Sequence, residues 1–390
     1  AKENGRSGIS DIALKTGFRW QPSPVHDIRF GAAYEHHIYN GRRMHEELVI
    51  LQEGKGEALY KRDSLSSGSE EISIYMEDDI SFNKKLKANL GLRYVLFAVD
   101  GKVYHRLEPR ATLSWIFHRN ASAKVSYTEM NQYAHNLTTS NVDLPTSIWL
   151  PSTKAIEPLH SKQVSAGIYS ILPAGFTLDV EGYFKAMDHI RDYSGYSMLF
   201  PPFSMWEEMY SEGKGLSYGT ELILGYRTEK TDISLAYTLS WTKRKFDNMY
   251  SEWFLNWNDN RHKLTISAVH KFSRKFEIYG SWNYRSGNRI SVESYDLDNF
   301  FDYPFKSSSP LMGSPYNVQM PPYHRLDIGM NFRKTNKRGN ESIWNLSIYN
   351  AYCRMNPITA EIKTDENGKT YGSAIGLIPV IPSFSYTLRF

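Results

Sequence analysis

Twelve histidines and a large stock of Ser and Asp give this 390-residue chain the side chains for hydrolysis or metal binding, so spacing decides whether either chemistry is assembled. Asp259, Arg261 and His262 cluster at one point, and His324 stands close before Asp327. Neither group holds a nucleophile, a base and an orienting acid at positions that local spacing supports. There is no Gly-rich phosphate loop, no nucleophile elbow and no metal-binding His pair on a helix. His36, His37 and His45 fall near one another, yet neighbours in an extended segment point to opposite faces, which argues against a shared metal ion. The single cysteine, Cys353, has no partner for an internal disulfide and no zinc-type cluster around it. The expectation is a chain that is not an enzyme, with no catalytic residue, no metal and no cofactor.

What the chain does concentrate is aromatic surface, with 27 Tyr, 19 Phe and 9 Trp, and much of it falls in three long connections. Segment 134–159 carries His135, Trp149 and Leu150. Segment 195–213 carries Tyr196, Phe200, Phe203, Trp206 and Tyr210, and segment 245–259 carries Tyr250, Trp253, Phe254 and Trp257. Adaptable loops on a rigid scaffold are the usual binding surface. Rings in them either stack on a sugar, peptide or flat ligand or pack on one another to close the loop. His135, Trp149, Phe203, Trp206, Trp253 and Trp257 are the candidate ligand-binding residues on this reading.

The elements that must carry these loops are strands. In Val380–Phe390, residues Phe384, Tyr386, Leu388 and Phe390 share one face and Ser383, Ser385, Thr387 and Arg389 the other. A closing strand of this kind, ending on an aromatic residue, is the insertion-signal pattern of outer-membrane β-barrels. The same period-two alternation recurs near 9–20, 26–39, 70–82, 84–97, 104–118, 121–133, 160–172, 175–194, 214–228, 231–244, 260–273, 275–288, 322–334 and 340–352, making fifteen strands in all. Tight turns at 118–120, 173–174, 229–230 and 273–274 alternate with long connections at 40–69, 134–159, 195–213, 245–259, 289–321 and 353–379. Short turns on one side and long loops on the other match the periplasmic and exterior ends of such barrels. A soluble propeller is disfavoured, because its strands run to about 5 to 6 residues. No stretch approaches the roughly 18 to 20 apolar residues that a spanning helix needs. The net charge of +4 is scattered, so no nucleic-acid partner is expected.

Several segments go beyond alternation: Ser73–Asp79 (SIYMEDD), Asn89–Tyr94 (NLGLRY), Glu108-Pro-Arg110, Val125–His135 and Leu216–Leu222 (LSYGTEL). In this order they resemble the barrel of TonB-dependent outer-membrane transporters. Trp149–Thr153 (WLPST), Asp259–His262 (DNRH), Tyr323–Asp327 (YHRLD), Ile348–Tyr352 (IYNAY), Asn356-Pro357 and Ile378–Pro382 resemble the Bacteroidetes-type branch. The resemblance implies an all-β transmembrane antiparallel barrel in the outer membrane, of which residues 1–390 would be the carboxy-terminal portion of about 22 strands. The odd strand count and the absence of an initiator Met fit a processed product or a fragment, with plug and first strands lying elsewhere. It also implies uptake of a glycan, peptide, siderophore or similar nutrient, energised by the TonB-ExbB-ExbD complex. A surface lipoprotein, lipid, lipopolysaccharide and the barrel assembly machinery would be further partners. The alternatives are a passive or scaffolding barrel complete as given, and a barrel hydrolase whose Ser, His and Asp converge at the rim. Within the wall, Gly91, Gly219 and Gly280 are expected at close approaches. Lys87, Arg93, Arg110, Glu221, Arg325, Asp327 and Asn331 should face inward, and Tyr94, Tyr127, Trp241, Trp282 and Tyr284 should form aromatic girdles.

Overall fold

Fifteen strands follow one another in chain order in one antiparallel sheet, with the short strand Tyr250–Leu255 paired off this path as a sixteenth, in a computed structural model that describes residues 2–50, 56–137, 148–193, 206–208, 210–248, 250–291, 315–336, 339–364, 370–376 and 378–390. They are β1 (Lys2–Trp20), β2 (His26–Ile50), β3 (Gly56–Ser81), β4 (Leu86–Val99), β5 (Lys102–His118), β6 (Ala121–Gln132), β7 (Leu159–Ile171) and β8 (Phe176–Tyr193). There follow β9 (Tyr210–Arg227), β10 (Thr231–Phe246), β11 (His262–Lys271), β12 (Phe276–Arg285), β13 (Tyr323–Thr335), β14 (Glu341–Tyr349) and β15 (Ile381–Arg389). All fifteen expected strands are present. Among the described residues β1 and β15 do not pair with each other, so the sheet is an open wall.

Register gives the wall two chemically different faces, because side chains directly opposite each other point the same way. One row runs Phe18, Phe30, Met76, Leu92 and Pro109 across five strands. The neighbouring row on the other face runs Arg29, Glu77, Gly91, Arg110 and Thr128. The apolar face stays bare, with Ile12 at 66% and Leu14 at 75% of full exposure. Burying such area is worth about 25 cal/mol per Å², so this face requires an apolar solvent. At the end of the wall Phe384, Tyr386, Leu388 and Phe390 all lie on it, with the Trp344 ring 4.8 Å from Tyr386 and 5.8 Å from Phe384. Tyr94, Tyr127, Trp241, Trp282 and Tyr284 share this face, and Trp241 stacks on Tyr218 at 5.4 Å.

The polar face is knitted by charges from different strands. Arg29 reaches Glu77 at 3.2 Å and also Asp79, while Arg110 meets Glu77 at 3.5 Å. Arg93 joins Glu71 at 2.7 Å to Glu108 at 3.7 Å and donates to the Ser73 hydroxyl. Each pair, partly solvated, contributes about 0 to 1 kcal/mol. Their larger effect is on register, since a one-residue slip would turn every charge toward lipid. Long side chains lie flat where the next strand has glycine. Arg110 covers Gly91, and a Cβ on Gly329 would collide with the Tyr279 ring.

Two expectations about connections change. Residues 40–69 are drawn mostly into β2 and β3, whose ladder continues from His26↔Ile80 to Ile50↔Gly56, because alternation weakens there but backbone pairing does not. The β4–β5 connection, at the long-loop end, is the two-residue turn Asp100-Gly101, with φ of 49° and 75°. Asp and Gly tolerate the left-handed conformation that such a hairpin demands, so long connections are not universal at that end. The sidedness has a direct test. Leu346→Arg, on the apolar face, should cost about 2–4 kcal/mol of barrel stability in urea titrations in bilayers. The adjacent Ser347→Arg, on the polar face, should cost much less.

Candidate functional site

At the long-connection end, chain segments fold inward against the polar face. Residues Ala134–Leu137 pair with Ile148–Pro151 as a hairpin that packs against the wall. Leu150, Ser152 and Ile156 are buried, while Phe97 stacks on Tyr133 at 4.6 Å beside Val95, Val99 and Tyr104. Tyr104 donates its hydroxyl proton to the Thr153 carbonyl at 2.5 Å, and the Ser152 N–H donates to the Tyr133 carbonyl at 2.6 Å. WLPST is therefore a tie between loop and wall. A second cluster joins Ile190 of β8, Phe246 of β10 and Phe254 of the short strand Tyr250–Leu255, with Tyr316 packed against it.

Between these clusters lies a recess of about 530 Å³ lined by Arg106, Glu157, His160, His189 and Glu212 among others. His189 has φ of 58° beside a register shift between Met187 and Ile190. Its Nδ1 is 2.7 Å from Glu212 and its Nε2 3.6 Å from Glu157, while Arg106 and Arg191 reach the same two carboxylates. Each carboxylate that meets His189 is thus also met by an arginine.

A second recess, of about 410 Å³, opens where β11–β14 reach their outer ends. Its lining includes Trp257, Asn258, Asn260, Lys263, Arg285, Asn288, Tyr323, Tyr349 and Asn356. The Arg285 guanidinium lies 4.9 Å from the Tyr323 ring centre, and Arg325 lies 4.0 Å over Tyr349. Arg325 also donates to Asp327 at 2.9 Å and to both tyrosine hydroxyls, at 2.9 and 2.5 Å. The asparagines of the sequence motifs act as ties. Asn260 donates to the Ser286 carbonyl and to the Asn288 amide oxygen, Asn356 accepts the His324 N–H, and Asn350 donates to the Arg354 and Ile378 carbonyls.

Of the candidate ligand residues, Trp257 lines the second recess. Trp253 is 40% exposed on the strand before it, away from that lining. Trp206 is buried edge-on to Tyr210 at 6.5 Å, which is loop packing, and Phe203 lies outside the described residues. Trp149 and His135 share the inward hairpin but differ in setting. Trp149 remains accessible, while His135 is buried with Nε2 2.9 Å from the Ser152 hydroxyl. His37 faces Asp11 on the polar side and His36 faces Glu70 on the other, so the two do not converge. Sequence reasoning missed Lys263, Arg285, Tyr323 and Tyr349 as a group. Their alternation was legible, but their meeting depends on the pairings Lys263↔Arg285 and Arg285↔Tyr323.

Burial pushes the His135 pKa down to about 4 and nearby Arg191 adds to the effect, so the folded hairpin holds a neutral imidazole. An unfolded His takes its proton near pH 6.5. The unfolded segment therefore binds more protons between about pH 6.5 and 4, and hairpin stability should fall across that window as pH drops. Proteolysis of 134–158 should accelerate on acidification through this range, and His135→Phe should flatten that dependence.

Comparison with known proteins agrees with this architecture. A profile of the family described as TonB dependent receptor-like, beta-barrel, matches residues 9–351. The fold is similar to that of the ferripyoverdine receptor of the outer membrane of Pseudomonas aeruginosa, at TM-score 0.63 and 12% identity, covering 98% of this chain and 48% of that one. It is similar also to the siderophore receptor PiuA from Acinetobacter baumannii, at TM-score 0.63 and 14% identity, with 99% and 56% covered. The FrpB iron transporter from Neisseria meningitidis gives TM-score 0.61 at 13% identity, with 98% and 54% covered. The chain thus spans about half the length of these structures. No curated protein matches significantly. With bare apolar and charge-knitted polar faces, fifteen strands in sequential register and a profile match along most of its length, this chain belongs to the TonB-dependent receptor β-barrel family and is a multi-pass protein of the outer membrane.

Proposed function

We propose that this chain is the wall of an energised importer that takes up a nutrient too large or too scarce for porins. The observation that carries this reading is the inward folding of loop segments against the polar face, which leaves a polar and aromatic recess at the long-connection end. A recess there can hold cargo before passage, and a barrel wide enough for an inner passage needs a movable plug. Differential affinity of cargo for two plug states would supply the gating. The TonB-ExbB-ExbD complex would supply energy, and no catalysis is involved. The motifs that resemble the Bacteroidetes-type branch favour a surface lipoprotein as a cargo-capturing partner.

The open edges of β1 and β15 support a larger assembly. Unpaired backbone groups in hydrocarbon cost several kcal/mol each, so additional strands, toward about 22, would close the wall. Phe384, Tyr386, Leu388 and Phe390 would serve as the signal for the assembly machinery during insertion. Two measurements test the proposal together: the denatured mass of the protein from outer membranes, and nutrient-dependent growth with and without TonB. The expected results are a mass roughly double 45.1 kDa, as the half-length coverage of solved structures suggests, and growth that is lost without TonB. A mass of 45.1 kDa with TonB-independent permeation would replace the proposal with a passive barrel.

A further inference from the structure

Across the described polar face, arginines are generally answered by carboxylates: Arg19 by Asp27, Arg93 by Glu71, Arg244 by Asp192, Arg325 by Asp327 and Arg333 by Glu277. The recess at the ends of β11 and β12 departs from this. Lys263 and Arg285 are direct cross-strand partners, and among the described residues neither has a carboxylate within ion-pair distance. Like charges placed directly opposite each other are unfavourable. Among the described residues no acidic side chain lines the recess.

The neutral groups around them are biased in the same direction. The Asn258 amide oxygen accepts from Asn256 at 2.5 Å, that of Asn288 from Asn260 at 2.9 Å, and that of Asn356 from the His324 N–H at 2.9 Å. One acceptor site of each oxygen is engaged, whereas among the described residues no hydrogen bond uses their N–H groups, so these three side chains are weighted toward donation. Arg285 rests its flat face on Tyr323, which leaves the guanidinium edge as a donor. Two cations and three amide donors thus meet in one partly enclosed space, beside the rings of Trp257, Tyr323 and Tyr349.

We infer that this recess binds an oxyanion group of the cargo, a carboxylate or its phosphate or sulfate counterpart, carried on a ring-bearing body that lies against the aromatic side chains. The inference rests on the importer reading for the word cargo, but the binding itself needs neither energy nor a plug. Charge-assisted hydrogen bonds to the anion would replace the repulsion between Lys263 and Arg285.

The test uses the full receptor in detergent and equilibrium binding of four probes: a trimer of galacturonate, the same trimer as its neutral methyl ester, phenyl phosphate and inorganic sulfate. The acidic trimer should bind at least tenfold more tightly than the ester, and raised salt should shrink the difference. Arg285→Gln and Lys263→Met should each remove most of that preference, and Arg285→Lys should retain part of it. Strand content by circular dichroism, unchanged in the variants, separates loss of the site from loss of fold. Preference for phenyl phosphate or sulfate over the trimer would identify the phosphate or sulfate form of the same site. Equal binding of acid and ester, an acid preference that survives both charge removals, or no anion binding in the millimolar range would overturn the inference. Because binding is measured without energised uptake, TonB-independent growth would sink the importer proposal and leave this result standing.

Discussion

Hydrocarbon offers no hydrogen-bond partners, so each backbone N–H and C=O of a spanning segment must be satisfied by another part of the protein. That constraint organises this chain. It forces each strand to pair with its sequence neighbours from β1 to β15, and sequential pairing makes the register of one hairpin the starting point of the next. Register then sets sidedness, with Phe18, Phe30, Met76 and Leu92 in one outward row and Arg29, Glu77 and Arg110 in the adjacent inward one. The glycines are a local consequence. Where Arg110 or Tyr279 lies along the wall instead of projecting from it, the neighbouring strand has no side chain to be displaced.

Inside the wall, water and protein share the work of solvating charge. Pairs such as Arg93 with Glu71 are partly wet and contribute little stability each, yet they match opposite charges across neighbouring strands. Against that background, the two recesses at the long-connection end differ in kind. The one around His189 closes its own network through Glu157, Glu212, Arg106 and Arg191. The one around Lys263 and Arg285 is positive and rich in N–H groups. The two recesses therefore differ in what they can offer an anion, since in the second the cations are not already engaged by carboxylates among the described residues.

The wall was legible because period-two alternation is a local signal that survives in each strand separately. All fifteen strands could be read in this way, including Phe384, Tyr386, Leu388 and Phe390 at the end. The expectation that Arg93, Arg110, Arg325 and Asp327 face inward followed from the same signal. The 40–69 segment was read as loop because its residues lose the alternation, although its backbone continues the β2–β3 ladder. The turn at Asp100-Gly101 had a recognisable sequence but no long connection to draw attention to it. Site residues were harder. His135 and Trp206 looked like exposed loop groups, but both are buried, His135 beside Ser152 and Trp206 beside Tyr210. Asn260, Tyr323 and Asn356 stood in conspicuous motifs, but Lys263 and Arg285 did not, and only the pairing of β12 with β11 and β13 joins them.

β2 and β3 run for 25 and 26 residues, whereas a tilted strand crosses the hydrocarbon in about 9–11. The surplus in β2, at about 3.3 Å per residue and a tilt near 45°, lifts the β1–β3 ladder roughly 30 Å past the lipid. β1 stays paired along this extension, from Trp20↔Ile28 to Lys2↔Glu46, so it is a three-stranded tongue rather than a floppy strap. β4 joins β3 only from Glu70 onward, so the outer part of the ladder is held by three-strand pairing without a fourth strand of the wall beside it.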